Sequence, residues 1–230
     1  MHQRLIGDLG GTHIRLALLS AQGEISAVQS TACADYPDFA SAVSAYLQGQ
    51  GSPAIHEAAL AVATPIDGDR VALTNRDWSF SIDEETRRFG FSRMIVKNDF
   101  TALALSIPHL GEDDLSPIGG GQAVAGAAVA VIGPGTGLGV SGLVFEGDIP
   151  VAIAGEGGHV SLCAHDAREA AIVDYCRQKF GHVSAERLLS GMGLQNIYES
   201  LCAINGVAYS ARTPAAIGQG AQSGDDPYAS

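Results

Sequence analysis

Two glycine-rich loops, one near the N-terminus and one past the midpoint, constrain this chain more than any other feature. Gly7-Asp8-Leu9-Gly10-Gly11-Thr12 follows the apolar pair Leu5-Ile6, and Gly133-Pro134-Gly135-Thr136-Gly137-Leu138-Gly139 follows the apolar run Ala127–Ile132. Each reads as a strand, a tight turn and a second strand, so each closes a β-hairpin. Glycine lets the backbone turn sharply and approach a ligand closely, with N–H groups free to point at phosphate oxygens. A pair of such hairpins implies a nucleotide held by two related halves. Neither loop leads into a helix and no Gly-Lys-Ser/Thr follows, which excludes both the Rossmann fingerprint and the Walker A loop.

With 46% hydrophobic and only 17% charged residues, the 230-residue chain has the material for a packed core rather than a disordered tail. A net charge of -12 argues against duplex nucleic acid as a partner, because neutralising phosphates takes lysine and arginine. It leaves room for a nucleotide bound by backbone N–H groups and a metal ion. No apolar run approaches the ~20 residues of a membrane span. A strand beginning within a few residues of Met1 leaves no room for a signal peptide, and a cytoplasmic location is expected. Cys33, Cys163, Cys176 and Cys202 form no CxxC pair and are expected to be buried, reduced thiols.

Along the chain the expected elements are α/β. Strands fall at Arg4–Leu9, Ile14–Leu19, Glu24–Thr31, Ala58–Ala63, Val71–Leu73 and Arg93–Val96. A helix after Pro37 places Phe39, Ala42, Val43, Tyr46 and Leu47 on one face. Ser81 with Glu84 opens a helix stopped by Gly90, and another runs over Phe100–Ile107. The stretch Pro108–Gly126, rich in Gly, Pro and Asp, separates a domain over 1–109 from one over 110–230. Strands at Ala127–Ile132, Leu138–Phe145 and Pro150–Ala154 then repeat the three-strand opening, so the chain reads as an α/β duplication. Helices follow at Arg168–Phe180, at Ala185–Leu189 capped by Ser184, at Leu194–Ile204 and from Thr213. Asp225-Asp226-Pro227 reads as the start of one more, and a stop at Ser230 reads as that of a piece of a longer polypeptide. Trp78 and Phe80 are expected in the core.

Several polar residues stand where chemistry is done, each with a plainer alternative. Asn98-Asp99 lies where a strand hands over to a helix, a place for a general base and equally for an N-cap. Glu156 and His159 follow the third strand of the second half; with Glu186 they offer acceptors and a donor suited to a polyol. The same Glu-x-x-His is also the spacing of a metal half-site or a solvated pair, and Glu186 is also an ordinary exposed helix residue. Asp8 either stabilises its glycine turn or faces a cation. Thr64-Pro65 and Asn75 are further candidates to line a ligand. Spacing places none of His13, Arg15 and His165, and His2, His56, His109 and His182 are taken as structural or surface residues.

Five ordered segments carry a resemblance: Gly7–Thr12, Val96-Lys97-Asn98-Asp99-Phe100-Thr101-Ala102, Gly135-Thr136-Gly137-Leu138-Gly139, Gly155-Glu156-Gly157-Gly158-His159 and Ser184-Ala185-Glu186-Arg187. With the flanking text Leu73–Ser81 they resemble the bacterial glucokinases, a family of the hexokinase and actin-like ATPase group. The resemblance runs to about residue 217. It implies two RNase H-like α/β domains around a cleft, the second incomplete in this chain, and ATP-dependent phosphorylation of D-glucose at its 6-hydroxyl. Carried onto these positions, Asp99 becomes the catalytic base and Asn98, Glu156, His159 and Glu186 become sugar contacts. Gly7, Asp8, Leu9, Gly10, Gly11 and Thr12, with Gly135, Thr136 and Gly137, hold ATP; Asp8 faces Mg2+ through water. The family also implies a homodimer. A ROK-type kinase of another hexose is the nearest rival, but such kinases carry a cysteine-rich zinc motif where this chain has Val160-Ser161-Leu162-Cys163-Ala164. A sugar-binding module that has lost turnover is the alternative from another class.

Overall fold

The structure, a computed structural model, describes residues 3–73, 77–224 and 226–229. His2, Asn75 and Asp225 therefore lie outside the described residues. The contacts divide the chain into two compact units, Met1–Ala123 with Pro150–Ala154, and Val124–Ile149 with Gly155–Ser230.

The first unit is built on a five-stranded sheet. Its strands are β1 (Gln3–Leu9), β2 (His13–Leu19), β3 (Ile25–Ala32), β4 (Ile55–Val62) and, after a short hairpin of β5 (Arg70–Ala72) and β6 (Ser79–Ser81), β7 (Arg93–Asn98). The order across the sheet is β3-β2-β1-β4-β7. β1 to β3 meander antiparallel, while β4 and β7 run parallel to β1. Parallel neighbours need a crossover. The first is made by α1 (Phe39–Gly49), whose N-cap Asp38 accepts the Ser41 N–H at 2.7 Å. The second contains α2 (Ile82–Phe89), capped by Ser81 and ended by Gly90 at φ 68, a left-handed value natural to glycine. Phe39, Ala42, Val43 and Tyr46 of α1 turn inward onto Leu5, Leu9, Ile14, Leu60 and Val62. Trp78 and Phe80 join the same core, Phe80 stacking on Phe39 with ring centres 4.2 Å apart.

In the second unit β8 (Val129–Pro134) and β9 (Leu138–Glu146) form an antiparallel hairpin with Ile132 opposite Val140 and Gly133 opposite Gly139. β10 (Ile149–Ile153), all but its first residue grouped with the first unit, follows the Gly147-Asp148 turn. Helices α4 (Ala167–Phe180), α5 (Gly191–Ile204) and α6 (Pro214–Ser223) complete the unit. Ile172, Val173 and Cys176 of α4 pack with Val183, Leu188 and Leu201. Asp166, Ser190 and Thr213 cap the three helices through side-chain oxygens, contacts worth roughly 0.5–2 kcal/mol each.

Four expectations need correction. The segment after Ser184 is one 3-10 turn, Ala185–Arg187, and the Ser184 side chain does not cap it. α5 starts at Gly191 rather than Leu194, because a Cβ on Gly193 would run into the Leu188 backbone and glycine lets that first turn pack closely. Cys163 is exposed, unlike the other three cysteines. Pro227–Ala229 is a turn rather than the start of a helix. Asp226 closes this segment instead: its carboxylate accepts the Tyr198 hydroxyl at 2.9 Å and the Tyr228 N–H at 3.0 Å, and pairs with Arg212 at 2.8 Å. That acceptor, with burial, pushes the Tyr198 phenol up to about 12.

Candidate active site

Parallel strands leave their carboxyl ends on one edge, where α/β folds bind ligands. Leu9 and Val62 pair across β1 and β4, and Val62 pairs with Asn98 across β4 and β7. The first glycine loop and the Asn98-Asp99 junction therefore share the carboxyl edge of one sheet, the loop following β1 and the junction ending β7.

At that junction the two readings of Asn98-Asp99 separate. Asn98 caps α3 (Asp99–Ser106), its Oδ1 accepting the N–H groups of Phe100 and Thr101 at 3.0 and 3.1 Å. Asp99 is thus relieved of the N-cap role. Its Oδ1 accepts the Asn98 Nδ2–H and the Phe100 N–H, both at 2.9 Å, while Oδ2 has no hydrogen-bond partner among the described residues. Asn98 Nδ2 also reaches the Thr64 carbonyl at 3.4 Å, and the Thr64 hydroxyl donates to the Ala72 carbonyl at 3.0 Å. Burial raises the Asp99 carboxyl above the usual carboxylate range; the Phe100 N–H opposes this and the nearby Asp8 charge adds to it. A carboxylate held by one oxygen, with the other open and its proton affinity raised, is equipped to accept a proton.

In the first loop, Gly7 and Leu9 serve the fold. A Cβ on Gly7 would come within 2.7 Å of Leu16 and 2.8 Å of Leu60, and Leu9 is fully buried with its carbonyl taken by the Ala63 N–H at 3.1 Å. Gly10 closes the turn on the His13 carbonyl at 2.9 Å, and the Thr12 carbonyl accepts the Cys33 N–H at 2.9 Å. The Gly11 and Thr12 N–H groups have no partner among the described residues, which leaves two donors side by side for an anion. Asp8 sits opposite Arg15 in the hairpin and pairs with it at 3.2 Å, both half-exposed.

The second loop is held differently. Gly135 donates to the Gly137 carbonyl at 2.8 Å, and its own carbonyl accepts the Gly191 N–H of α5 at 2.8 Å. The Thr136 and Gly137 N–H groups are again unpartnered among the described residues. Leu138 N–H, by contrast, donates to Glu186 Oε2 at 2.9 Å.

Glu156, His159 and Glu186 come together in the second unit. Backbone bonds from Leu162 N–H to the Val183 carbonyl and from Ala185 N–H to the Val160 carbonyl bring the Glu186 turn alongside His159. His159 then stands between two carboxylates, Nε2 3.8 Å from Glu156 and Nδ1 4.0 Å from Glu186. The glycines of this segment are packing requirements. A Cβ on Gly157 would meet Val140 at 2.7 Å, and one on Gly158 would collide with the Leu138 carbonyl. His13 contacts the Thr12 hydroxyl at 3.1 Å, and His182 contacts Ser161 at 2.9 Å. The sequence by itself places neither Arg15 nor a protein partner for Glu186. Hairpin register could have found the first; nothing in the spacing signals the second, 48 residues from its partner.

The first unit carries the Asp99 carboxylate and one glycine hairpin, the second carries the other hairpin and the Glu/His/Glu cluster, and the α/β fold is that of the actin-like sugar kinases. A family model described as Glucokinase matches residues 5–230. The chain belongs to that family. It is 45% identical to a glucokinase of Neisseria meningitidis over 226 residues, 98% of this chain and 69% of that protein. It is 43% identical to a "Bifunctional protein glk" of Paraburkholderia xenovorans, over 86% of this chain and 31% of that protein. The chain thus spans less than a third of the bifunctional relative it matches. Among solved structures, glucokinase from an Antarctic psychrotroph aligns with all of this chain and 73% of its own, with a TM-score of 0.86 and 33% identity. Glucokinase from Balamuthia mandrillaris in complex with glucose shares the fold, with a TM-score of 0.77 and 21% identity.

Proposed function

We propose that this protein transfers the γ-phosphoryl group of ATP to the 6-hydroxyl of D-glucose, with Asp99 as general base. The observation that carries the reading is the Asp99 carboxylate, fixed through Oδ1 by Asn98 and Phe100 with Oδ2 open. A sugar hydroxyl is a poor nucleophile until its proton is taken. Asp99 Oδ2 accepts that proton as the hydroxyl oxygen bonds to the γ-phosphorus and the bond to the ADP oxygen breaks. Asn98, Glu156, His159 and Glu186 bind the ring hydroxyls, the carboxylates accepting and Asn and His able to do either.

The triphosphate is held by the unpartnered N–H groups of Gly11 and Thr12 in one loop and of Thr136 and Gly137 in the other. The donors near the first loop also suit Mg2+. Asp8 is a half-exposed carboxylate oxygen donor beside phosphate-ready N–H groups, and Mg2+ takes one or two carboxylates, phosphate oxygens and its own waters. Asp8 would hold the ion through water, and the bound ion would supply neutralisation of phosphate charge. Glucose is the proposed acceptor because relatives that match 88% and 98% of the chain carry the name glucokinase. A homodimer and a cytoplasmic location belong to the same proposal; among the described residues no helix is long and apolar enough to cross a membrane.

The test is a coupled assay for glucose 6-phosphate with glucose and MgATP, run beside calorimetric titration of glucose. Product formation that disappears in Asp99→Ala supports the reading. Glucose binding without product would favour a sugar-binding module that lacks turnover.

A further inference from the structure

The Glu186 carboxylate is divided between two tasks. Oε2 accepts the Leu138 N–H at 2.9 Å, at the end of the second glycine loop, while Oε1 faces His159 Nδ1 at 4.0 Å. The approach requires Gly137, since a Cβ there would collide with Oε2 and lie 3.2 Å from the carboxyl carbon. Turning both oxygens toward a sugar would strip Leu138, a buried residue, of its acceptor, and a buried donor left unmade is costly. Three further contacts bind the same elements into one block. Ser190 Oγ donates to the Glu186 carbonyl at 2.7 Å, Gly191 N–H donates to the Gly135 carbonyl at 2.8 Å, and Gly158 packs against the Leu138 carbonyl.

We infer that Glu186 is a positioning residue that ties the phosphate-binding loop Gly135–Gly139 to the sugar cluster, so that sugar and nucleotide each strengthen binding of the other. The inference rests on the glucokinase reading given above. A sugar hydroxyl bound at Oε1 and His159 fixes the Glu186 side chain, and Oε2 then fixes Leu138 and the Thr136 and Gly137 donors before it. Gly137 is accordingly required by Glu186 as well as by phosphate. Linkage is reciprocal: whatever glucose does to nucleotide affinity, nucleotide does to glucose affinity.

Isothermal titration of the 230-residue protein with glucose and with a non-hydrolysable ATP analogue, each alone and in the presence of the other, tests this. In the unsubstituted protein each ligand should tighten the other by about fivefold or more. Glu186→Ala should weaken the ATP analogue in the absence of sugar and bring the coupling factor to about one. Glu186→Gln keeps an acceptor for Leu138 N–H and should restore analogue binding while sugar binding stays altered. Gly137→Ala should weaken glucose in the absence of nucleotide; should it fail to fold, the two Glu186 variants decide the matter. Effects of Glu186→Ala confined to glucose, or tighter analogue binding by that variant, would overturn the inference and leave the kinase reading intact. An unsubstituted chain that binds neither ligand overturns the kinase reading and this inference with it.

Discussion

The two glycine loops look alike in sequence and are wired differently in space. The first is held by the backbone of its own sheet, the Leu9 carbonyl accepting the Ala63 N–H and the Thr12 carbonyl accepting the Cys33 N–H. Its acid is its own Asp8, neutralised by Arg15 from the facing strand of the same hairpin, and its turn closes from Gly10 to His13. The second has no charged residue and is held from outside, by Glu186 at Leu138 and by Gly191 at Gly135. A loop held by the backbone of adjoining strands can form as that sheet assembles. A loop stabilised by a side chain 48 residues away is ordered only when the unit has closed around it, and that distance is what allows a second ligand to act on it.

Four measurements would sharpen or break this contrast. The largest effect should come from Asp99, the proposed base, set at the same sheet edge as the first loop. Asp99→Ala should lower kcat by about 10²–10⁴-fold, the usual worth of a positioned base, with glucose affinity largely kept. A variant with a normal rate would remove Asp99 from that role.

Next, the glycines should sort by what they touch rather than by their motif. Gly7→Ala forces a methyl between Leu16 and Leu60, and Gly158→Ala forces one onto a carbonyl. Each should cost about 1–3 kcal/mol in urea unfolding. At Gly10 a Cβ would lie 3.4 Å from its nearest contact, the His13 carbonyl, so Gly10→Ala should destabilise less and act mainly on nucleotide affinity. Equal destabilisation at Gly7 and Gly10 would contradict the division between packing and ligand glycines.

The third measurement uses pH. Burial and the Asp8 charge raise the Asp99 carboxyl, so the acidic limb of kcat/KM should lie above the ~3.9 of a free aspartate, activity rising as Asp99 loses its proton. Asp8→Asn removes one raising influence, and the limb should move to lower pH even though the rate itself falls. The stability sign is the reverse of an ion-paired aspartate. What protonated Asp99 contributes is present below about 3.9 and is lost as pH rises through its higher folded-state value. Asp99→Asn should therefore be at least as stable as the unsubstituted protein at neutral pH, checked by thermal unfolding across that window.

The smallest effect belongs to the Arg15–Asp8 pair. Both side chains are half-exposed, so Arg15→Gln should change stability by no more than about 1 kcal/mol, and less in high salt. A larger loss would mean that the pair supports the first loop beyond its backbone bonds to Ala63 and Cys33.

Much of this architecture was legible because it rests on local patterns. Apolar alternation and turn residues placed β1, β2 and β3, and the stripe from Phe39 to Leu47 placed α1. Ser81 and Gly90 marked both ends of α2. What escaped was set by contacts between distant segments. The three-residue strand β6 is too short for a pattern and exists through its pairing with β5. The start of α5 was hidden by Gly191 and Gly193, poor helix formers by propensity that are needed where the backbone of Leu188 and the carbonyl of Gly135 come close.

The candidate site divides the same way. Sequence alone named Asp99 and left it between base and N-cap. Only the fold assigned the cap to Asn98 and left Asp99 Oδ2 open. Sequence alone determined the two glycine hairpins, because a tight turn between apolar strands is decided within a few residues. Which glycines keep unpartnered N–H groups among the described residues, which yield space to Leu16, Val140 or Leu138, and which carboxylate holds the second loop were decided by tertiary structure. Those outcomes depend on the distance between atoms far apart in the chain, and no local pattern carries that distance.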